Sequence, residues 1–334
     1  MAEASGVRRR KRGAGTGSRT TRRTVLTAAT AALTGAVLPS CRMGEESGGQ
    51  GASPFTGEQG RGAHVLAVKV DNVPAARPHT GLEHADIVYT EQVEAGLSRI
   101  LAVFASRIPA TVGPVRSARE SDIELLRQFG EPALAFSGVQ RTLLPTLEAS
   151  PLHLLPPAEL GDGYARDPAR RAPHNLYLRA RRAERAARGA SAPRDIGFRF
   201  GAAPEGGRRT AQETVRYPAA RFTFTWSPDR RRWHVAMDGV PARTRGHGRL
   251  APATVVIQYV TVRQSRYRDS SGSVTPYTET LGSGEALVLR DGRAYEARWS
   301  RLSPGQGTVF TDARGGRRLS FARGQVWISL VRKD

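Results

Sequence analysis

Short apolar runs separated by polar turns fill the chain between residues 63 and 188. "HVLAVKVDN", residues 64 to 72, is apolar from Val65 to Val70 and stops at Asp71 and Asn72, which predicts one buried strand. "ADIVYTEQ" (85–92) and "RILAVFAS" (99–106) repeat that pattern, joined by "VEAGLS". In "GPVRSARESDIELL", residues 113 to 126, Ser117 precedes Glu120 by three positions and Ile123, Leu126 and Phe129 follow at helical spacing. That arrangement predicts a capping box and a helix from Ser117 to Phe129. "PALAFSG" (132–138) reads as another strand, "QRTLLPTLE" (140–148) as a short helix interrupted by Pro145, and "HNLYLRARRAERAARG" (174–189) as a basic helix.

After Gly189 the pattern changes. "GASAPRDIGFRFGAAPEGGRRTAQE" is linker-like, and from about Tyr217 strand signals stand alone. "RFTFTW" alternates Phe222, Phe224 and Trp226 with Thr223 and Thr225, the pattern of a half-buried strand. "ATVVIQYVTV" suits a more central strand, and "QVWISLV" closes the chain with another. In "ALVLRDGRAYEARW" the pair Asp291-Gly292 sits where a tight hairpin turns, and Gly315-Gly316 marks a second hairpin. The expected fold is α+β: a mixed α/β domain over 63–188, a linker over 189–216, and a mainly antiparallel β domain over 217–334, as a sandwich or partly closed barrel. All four Trp (226, 233, 299 and 327) fall in this second part, where core filling is the expected role and stacking on sugar rings the alternative.

The first residues change the picture of compartment. "TRRTVL" (21–26), preceded by "RRRKR" and followed by an apolar run from Val25 to Leu38, is a twin-arginine export pattern too short to span a membrane. The run ends in "LPSC", and Cys41 is the only cysteine in the chain. Residues 1–41 therefore read as a signal peptide with a lipidation site at Cys41, and 42–62, rich in Gly, Ser and Glu, as a flexible tether. The predicted location is the extracytoplasmic face of the bacterial cell membrane, lipid-anchored after export. Of the formal +21 charge, +7 leaves with residues 1–40 and +14 remains. The excess is carried by Arg, 48 residues against three Lys, and is densest over 166–209. For an exported chain this favours anionic lipid headgroups, wall polymers or an envelope protein over nucleic acid.

Several chemistries are excluded by residue type. With Cys41 in the leader there is no thiol nucleophile, and the Walker A loop, HExxH and GxSxG are absent. His79 and His84, five apart, could combine with Asp71 or Asp86 around a metal, but the spacing fits neither a strand face nor a helix face; no metal and no cofactor is assigned. The Arg set stands out. Arg77 follows the first strand, Arg99 opens the third, and Arg116 and Arg119 flank a helix start where the macrodipole disfavours cations. Guanidinium forks bind phosphate or carboxylate bidentately, so these four residues suggest an anion site. Asp71, Asp86, Glu91 and Glu94 lie in the same segments and offer the competing explanation, internal ion pairing with Arg119 held by Asp122.

"VKVDNVPAARPHTGLEHADIVYTEQVEAGLSRILAVFAS", "GPVRSAR", "PHNLY" (173–177), "LGSGEALVLRDGRAYEARWSR" and "GQVWISLV" together resemble the YerB-like lipoproteins, paired domains of unknown function, over about residues 63–331. The resemblance implies an exported lipoprotein and no established activity. Where that family tends to read Glu-Gly-Gly, this chain has Glu94-Ala95-Gly96, which implies a turn that does not need both glycines. A fainter likeness runs to the LytR-CpsA-Psr phosphotransferases, with Asp86 in "HADIVY" and Arg116 in "GPVRSAR" in corresponding places. It implies an alternative function, phosphoryl or glycan transfer on a polyprenyl-pyrophosphate-linked substrate with Asp86 as general base or metal ligand. The residues expected around the anion are Asp71, Arg77, Asp86, Glu94, Arg99, Arg116, Ser117, Arg119, His174 and Asn175. "PHNLY" is expected to pack beside "GPVRSAR", with His174 or Asn175 donating into the same space.

Overall fold

Strands from both halves of the chain share one sheet in the computed structural model, which describes residues 51–60, 62–269 and 272–333. The predicted leader and Cys41 lie outside the described residues. Strand β1 (Leu66–Val70) pairs antiparallel with β3 (Ser98–Phe104), which pairs antiparallel with β2 (Ile87–Gln92). On the far side of β1, the short strands β4 (Ala133–Ala135) and β5 (His153–Leu155) add in parallel. Strands β6 (Thr254–Val260), β7 (Gly282–Arg290) and β8 (Arg293–Arg301) are paired antiparallel in that order. The last strand, β9 (Val326–Arg332), lies between β6 and β2 and is parallel to both.

This makes an open, mixed sheet of eleven strands in an α+β protein. It has two ends and does not close into a barrel. β9 is covered on both faces as well as paired on both sides, so its Val326, Trp327, Ile328 and Leu330 are buried, and its one buried polar residue, Ser329, accepts a hydrogen bond from the Thr90 hydroxyl at 3.0 Å.

Period-two alternation sends neighbouring residues to opposite faces. Leu66, Val68, Val70, Ile100, Ala102 and Phe104 pack on one side with Phe222, Phe224, Trp233 and Val235 of a smaller antiparallel sheet. Val65, Ala67, Leu101 and Val103 pack on the other with Phe129 and with Leu125 and Leu126 of helix α1 (Glu120–Leu126). Trp233, Trp299 and Trp327 are buried and Trp226 packs at a tilt on Trp233, 5.3 Å between ring centroids, so the aromatic residues fill the core. The β7–β8 turn uses Asp291 at φ 48° and Gly292 at φ 70°, the left-handed pair that a two-residue hairpin demands.

Three local expectations are corrected. Residues 51–60, expected within the tether, form a turn closed by an Ala52–Gln59 bridge, because Phe55 inserts edge-on against Phe129, 5.3 Å between centroids. The helix begins at Glu120 rather than Ser117. The backbone of 116–118 is already engaged elsewhere: the Arg116 N–H donates to Lys69, the Ala118 N–H to Gly138, and the Arg116 carbonyl accepts from Ser137. "HNLYLR" is strand first, Leu176–Arg179, and helical only over Ala180–Ala186, since Leu176 and Leu178 join the core while the strand pairs with Thr111–Val112 and Tyr164–Arg166.

Candidate functional site

Where β1 ends, Asp71 points its carboxylate into a cluster of cations. The loop 113–116 runs back along the strand end, with the Asp71 N–H donating to Pro114 and the Val115 N–H to Leu176. Those bonds place Arg116 beside Asp71 on one side and bring the "PHNLY" turn against both. Peptide bonds 77–78, 113–114 and 172–173 are cis and lie in the three loops around this point.

Asp71 is fully buried, and its Oδ2 accepts from His174 Nδ1 at 2.7 Å. Arg116 Nε lies 3.3 Å from Oδ2 and Arg99 Nε 3.8 Å from Oδ1, close enough for ion pairing. Neither makes a hydrogen bond, and both Nε atoms and Arg99 Nη1 are buried without a hydrogen-bond partner. A buried donor left unpaired costs about 1–3 kcal/mol.

Arg99 is 5 % exposed, whereas the side chains of Arg116 and His174 are 30 % and 22 % exposed and form the rim. Burial pushes the Asp71 carboxyl up, but Arg99, the His174 hydrogen bond and Arg116 together outweigh it and hold it below the usual carboxylate range. Arg99 is lowered to about 10 by burial, with Asp71 resisting and the neighbouring Arg119 and Arg116 adding repulsion.

The other predicted arginines are closed. Arg119 forks onto Glu94 through Nε and Nη2, each at 2.8 Å, and Glu94 also accepts from Thr275 at 2.7 Å. Arg119 is therefore paired with Glu94, not Asp122, whose carboxylate instead takes the Arg119 backbone N–H at 2.7 Å. Burial raises Glu94, and the Arg119 bonds and charge pull it below its ordinary value. Its turn places Ala95 at φ 56° and Gly96 at φ 69°, so both positions are left-handed and Ala95 bears a conformation that glycine adopts freely. Arg77 is tied to Asp238 at 2.9 Å and to the Asn72 carbonyl at 2.7 Å.

Beside this lies a buried group that the sequence did not single out. Lys69, on β1, is fully buried between Glu91 of β2 and Asp122 of α1, with the Asp122 contact at 2.6 Å. Ser121 donates to the second oxygen of Glu91 at 2.9 Å. The signal was available: a lone Lys inside an apolar strand must find an anion.

Asp86 does not join the arginines. It caps the opposite end of the β2–β3 pair, where its Oδ2 accepts the N–H groups of Ala105 at 2.5 Å and Ser106 at 2.9 Å, and burial pushes its carboxyl up. Arg99 faces Glu91 at one end of β3, while the Asp86 N–H bonds to Val103 at the other, roughly 14 Å away along the strand. A general base at Asp86 is thus removed from the cations it would serve.

Asn175 turns into its own loop, accepting from Arg166 at 2.7 Å and donating to the Arg170 carbonyl at 3.1 Å. Ser117 is half-buried and its carbonyl accepts from Arg119 Nη1 at 3.4 Å. His79 is buried with Nε2 on the Asp71 carbonyl at 2.8 Å, and burial drops it to about 4, so it is neutral and apart from His84. Among the described residues no helix is long and apolar enough to cross a membrane.

Two family models match the chain: the N-terminal domain of a protein of unknown function, DUF3048, over residues 54–193, and the DUF3048 C-terminal domain over 213–328. A Bacillus subtilis (strain 168) protein, YerB, whose name marks it as a candidate lipoprotein, is 52% identical over 64 residues. That match spans 19% of this chain and 19% of the relative's length. The crystal structure of Bacillus subtilis YerB superposes with a TM-score of 0.70 at 24% identity, covering 84% of this chain and 96% of that one, which shows a shared fold.

Proposed function

Because the chain belongs to the two-part DUF3048 family, for which no function is described, we propose that its activity is anion capture at the Asp71 cluster by an exported, lipid-anchored envelope protein. The ligand is a phosphate or carboxylate group of a wall polymer or lipid-linked component, with an acidic segment of a partner protein as the competing source. The observation that carries this reading is Arg99: a buried guanidinium with two N–H-bearing nitrogens unpartnered, behind a rim of Arg116 and His174. Asp71 supplies one negative charge against two guanidinium groups, so the cluster keeps a positive excess that an anion oxygen would neutralise while accepting the free N–H groups. Export is supported by the leader pattern and Cys41, and by the name of the Bacillus relative.

The test measures retention of the chain on purified anionic wall polymer and on vesicles carrying acidic phospholipid, with inorganic pyrophosphate as the small probe. Arg116→Ala is expected to weaken binding at least tenfold while the melting temperature moves by only a few degrees, about the effect of 1 kcal/mol in a domain of this size. Unchanged binding with a large loss of stability would assign the cluster to internal pairing.

A further inference from the structure

A second cluster lies away from the Asp71 site. Glu83 and His84 sit on the 3-10 turn Leu82–His84, and His247 on the turn between the two-residue strands Arg243–Thr244 and Gly248–Arg249. Hydrogen bonds fix both supports. Gln325 Nε2 donates to the carbonyls of Leu82 and Ala85, each at 2.8 Å, and the Arg245 N–H donates to His79 at 2.9 Å beside a His79–Thr244 bridge. The three side chains thus meet, although far apart in sequence, because these bonds bring the two turns together.

We propose that Glu83, His84 and His247 form a binding site for a borderline transition-metal ion of the zinc class. Nε2 of His84 and Nε2 of His247 each lie 3.6 Å from Glu83 Oε1, and the three potential ligand atoms fall within 4.8 Å of one another. A separation of 3.6 Å is too long for a hydrogen bond. It matches the roughly 3.4 Å between neighbouring ligands on a tetrahedral ion with bonds of about 2.0–2.2 Å. The imidazole rings meet edge to face at 5.5 Å, which leaves their nitrogens free to converge instead of stacking. Glu83 Oε2 is buried and has no hydrogen-bond partner, an acceptor that a bound ion would engage.

Two imidazoles and one carboxylate are the donor set of zinc, copper or nickel. Calcium and magnesium need more oxygen ligands than one Glu supplies. Glu83 and His84 also line a cavity of about 250 Å³ that contains Arg107, Arg232 and Arg249. Those guanidinium groups disfavour a cation held by charge alone, so retention depends on the coordinate bonds from nitrogen. Three protein ligands leave one position of a tetrahedral ion open to water or an exogenous ligand.

The experiment titrates Zn²⁺ into the untagged full-length chain against a chromophoric chelator, with wild type and two variants in parallel. The expected result is one ion per chain, with affinity lowered at least tenfold in His247→Ala and in Glu83→Gln. His247 is exposed on a turn, so its variant is expected to keep the wild-type circular dichroism and melting temperature without metal. Absence of stoichiometric binding by the wild type, or wild-type affinity in both variants, would overturn the proposal. Cobalt substitution adds an independent readout: a tetrahedral visible absorption band in wild type that is lost in His247→Ala.

Discussion

Two groups of buried charges sit side by side at the junction of β1, β2 and α1, and they are built on different principles. In the Lys69 group one ammonium faces two carboxylates with almost no exposure, and Ser121 takes part of the remaining capacity. Burial still pushes Asp122 up, as expected where two carboxylates share one cation. In the Asp71 group one carboxylate faces two guanidinium groups and an imidazole, the rim is exposed, and donors remain unpaired. The first arrangement is closed and ties the start of α1 to the sheet. The second has hydrogen-bonding capacity left over and a route to solvent. Buried charge alone therefore does not distinguish the two groups; unspent donors and an open side do.

The largest expected effect breaks the closed group. Lys69→Met leaves Glu91 and Asp122 buried without their cation and is expected to cost about 3–5 kcal/mol in urea unfolding. Arg99→Met, which removes unpaired donors and leaves Asp71 with Arg116 and His174, is expected to cost less than about 2 kcal/mol. Equal losses would erase the distinction between the two groups.

The next effect uses pH. His79 falls from an ordinary 6.5 to about 4 in the folded chain. Between those values the unfolded chain binds a proton that the folded chain refuses, so stability falls as pH is lowered from about 6.5 to about 4 and levels off below. The contribution amounts to roughly 3 kcal/mol across the window. His79→Gln should flatten this part of the stability–pH curve relative to wild type, and parallel curves would show that His79 is not the group responsible.

A smaller change should convert a closed pair into an open one. Glu94→Gln weakens the fork on Arg119 and is expected to cost about 1.5–3 kcal/mol, the worth of a charge-assisted hydrogen bond. It also releases a third guanidinium next to Arg99, so pyrophosphate retention should rise several-fold. Loss of retention would show that Arg119 must stay pinned for the cluster to work. Smallest in stability is Arg116→Ala, expected within about 1 kcal/mol because the side chain is partly exposed. Its effect appears in anion retention, and a large stability loss would move Arg116 into the closed class.

Much of the fold could be read from the chain because strand periodicity and turn chemistry are local. Val65–Val70, the Phe222–Trp226 alternation and the Asp291-Gly292 turn each carry their structure in adjacent residues. The approach of "PHNLY" to "GPVRSAR" was also foreseeable, since polar turns of one small region share an edge. Two failures have a common cause. Ser117 carries a capping signature, yet the chain stays extended there because Lys69 and Gly138 take its neighbours' backbone groups. Phe55 sits in a Gly- and Ser-rich stretch that reads as tether, yet it docks on Phe129. In each case a partner distant in sequence overrode a local preference.

The sequence by itself determined which residue types were available: many guanidinium groups, fewer carboxylates, a single cysteine, and apolar runs long enough for a sheet. It also placed Arg99, Arg116 and Asp71 at strand ends and turns. Only the tertiary structure decided which charges neutralise each other. Arg119 met Glu94 because the turn between β2 and β3 faces the start of α1, and Asp86 was separated from the arginines because antiparallel pairing put it at the other end of the same strands. It also decided that β9 would slot between β2 and β6 and join the two halves in one sheet. The physical reason is that ion pairing and burial act over a few ångströms in space, and spatial distance is set by strand register and packing rather than by separation along the chain.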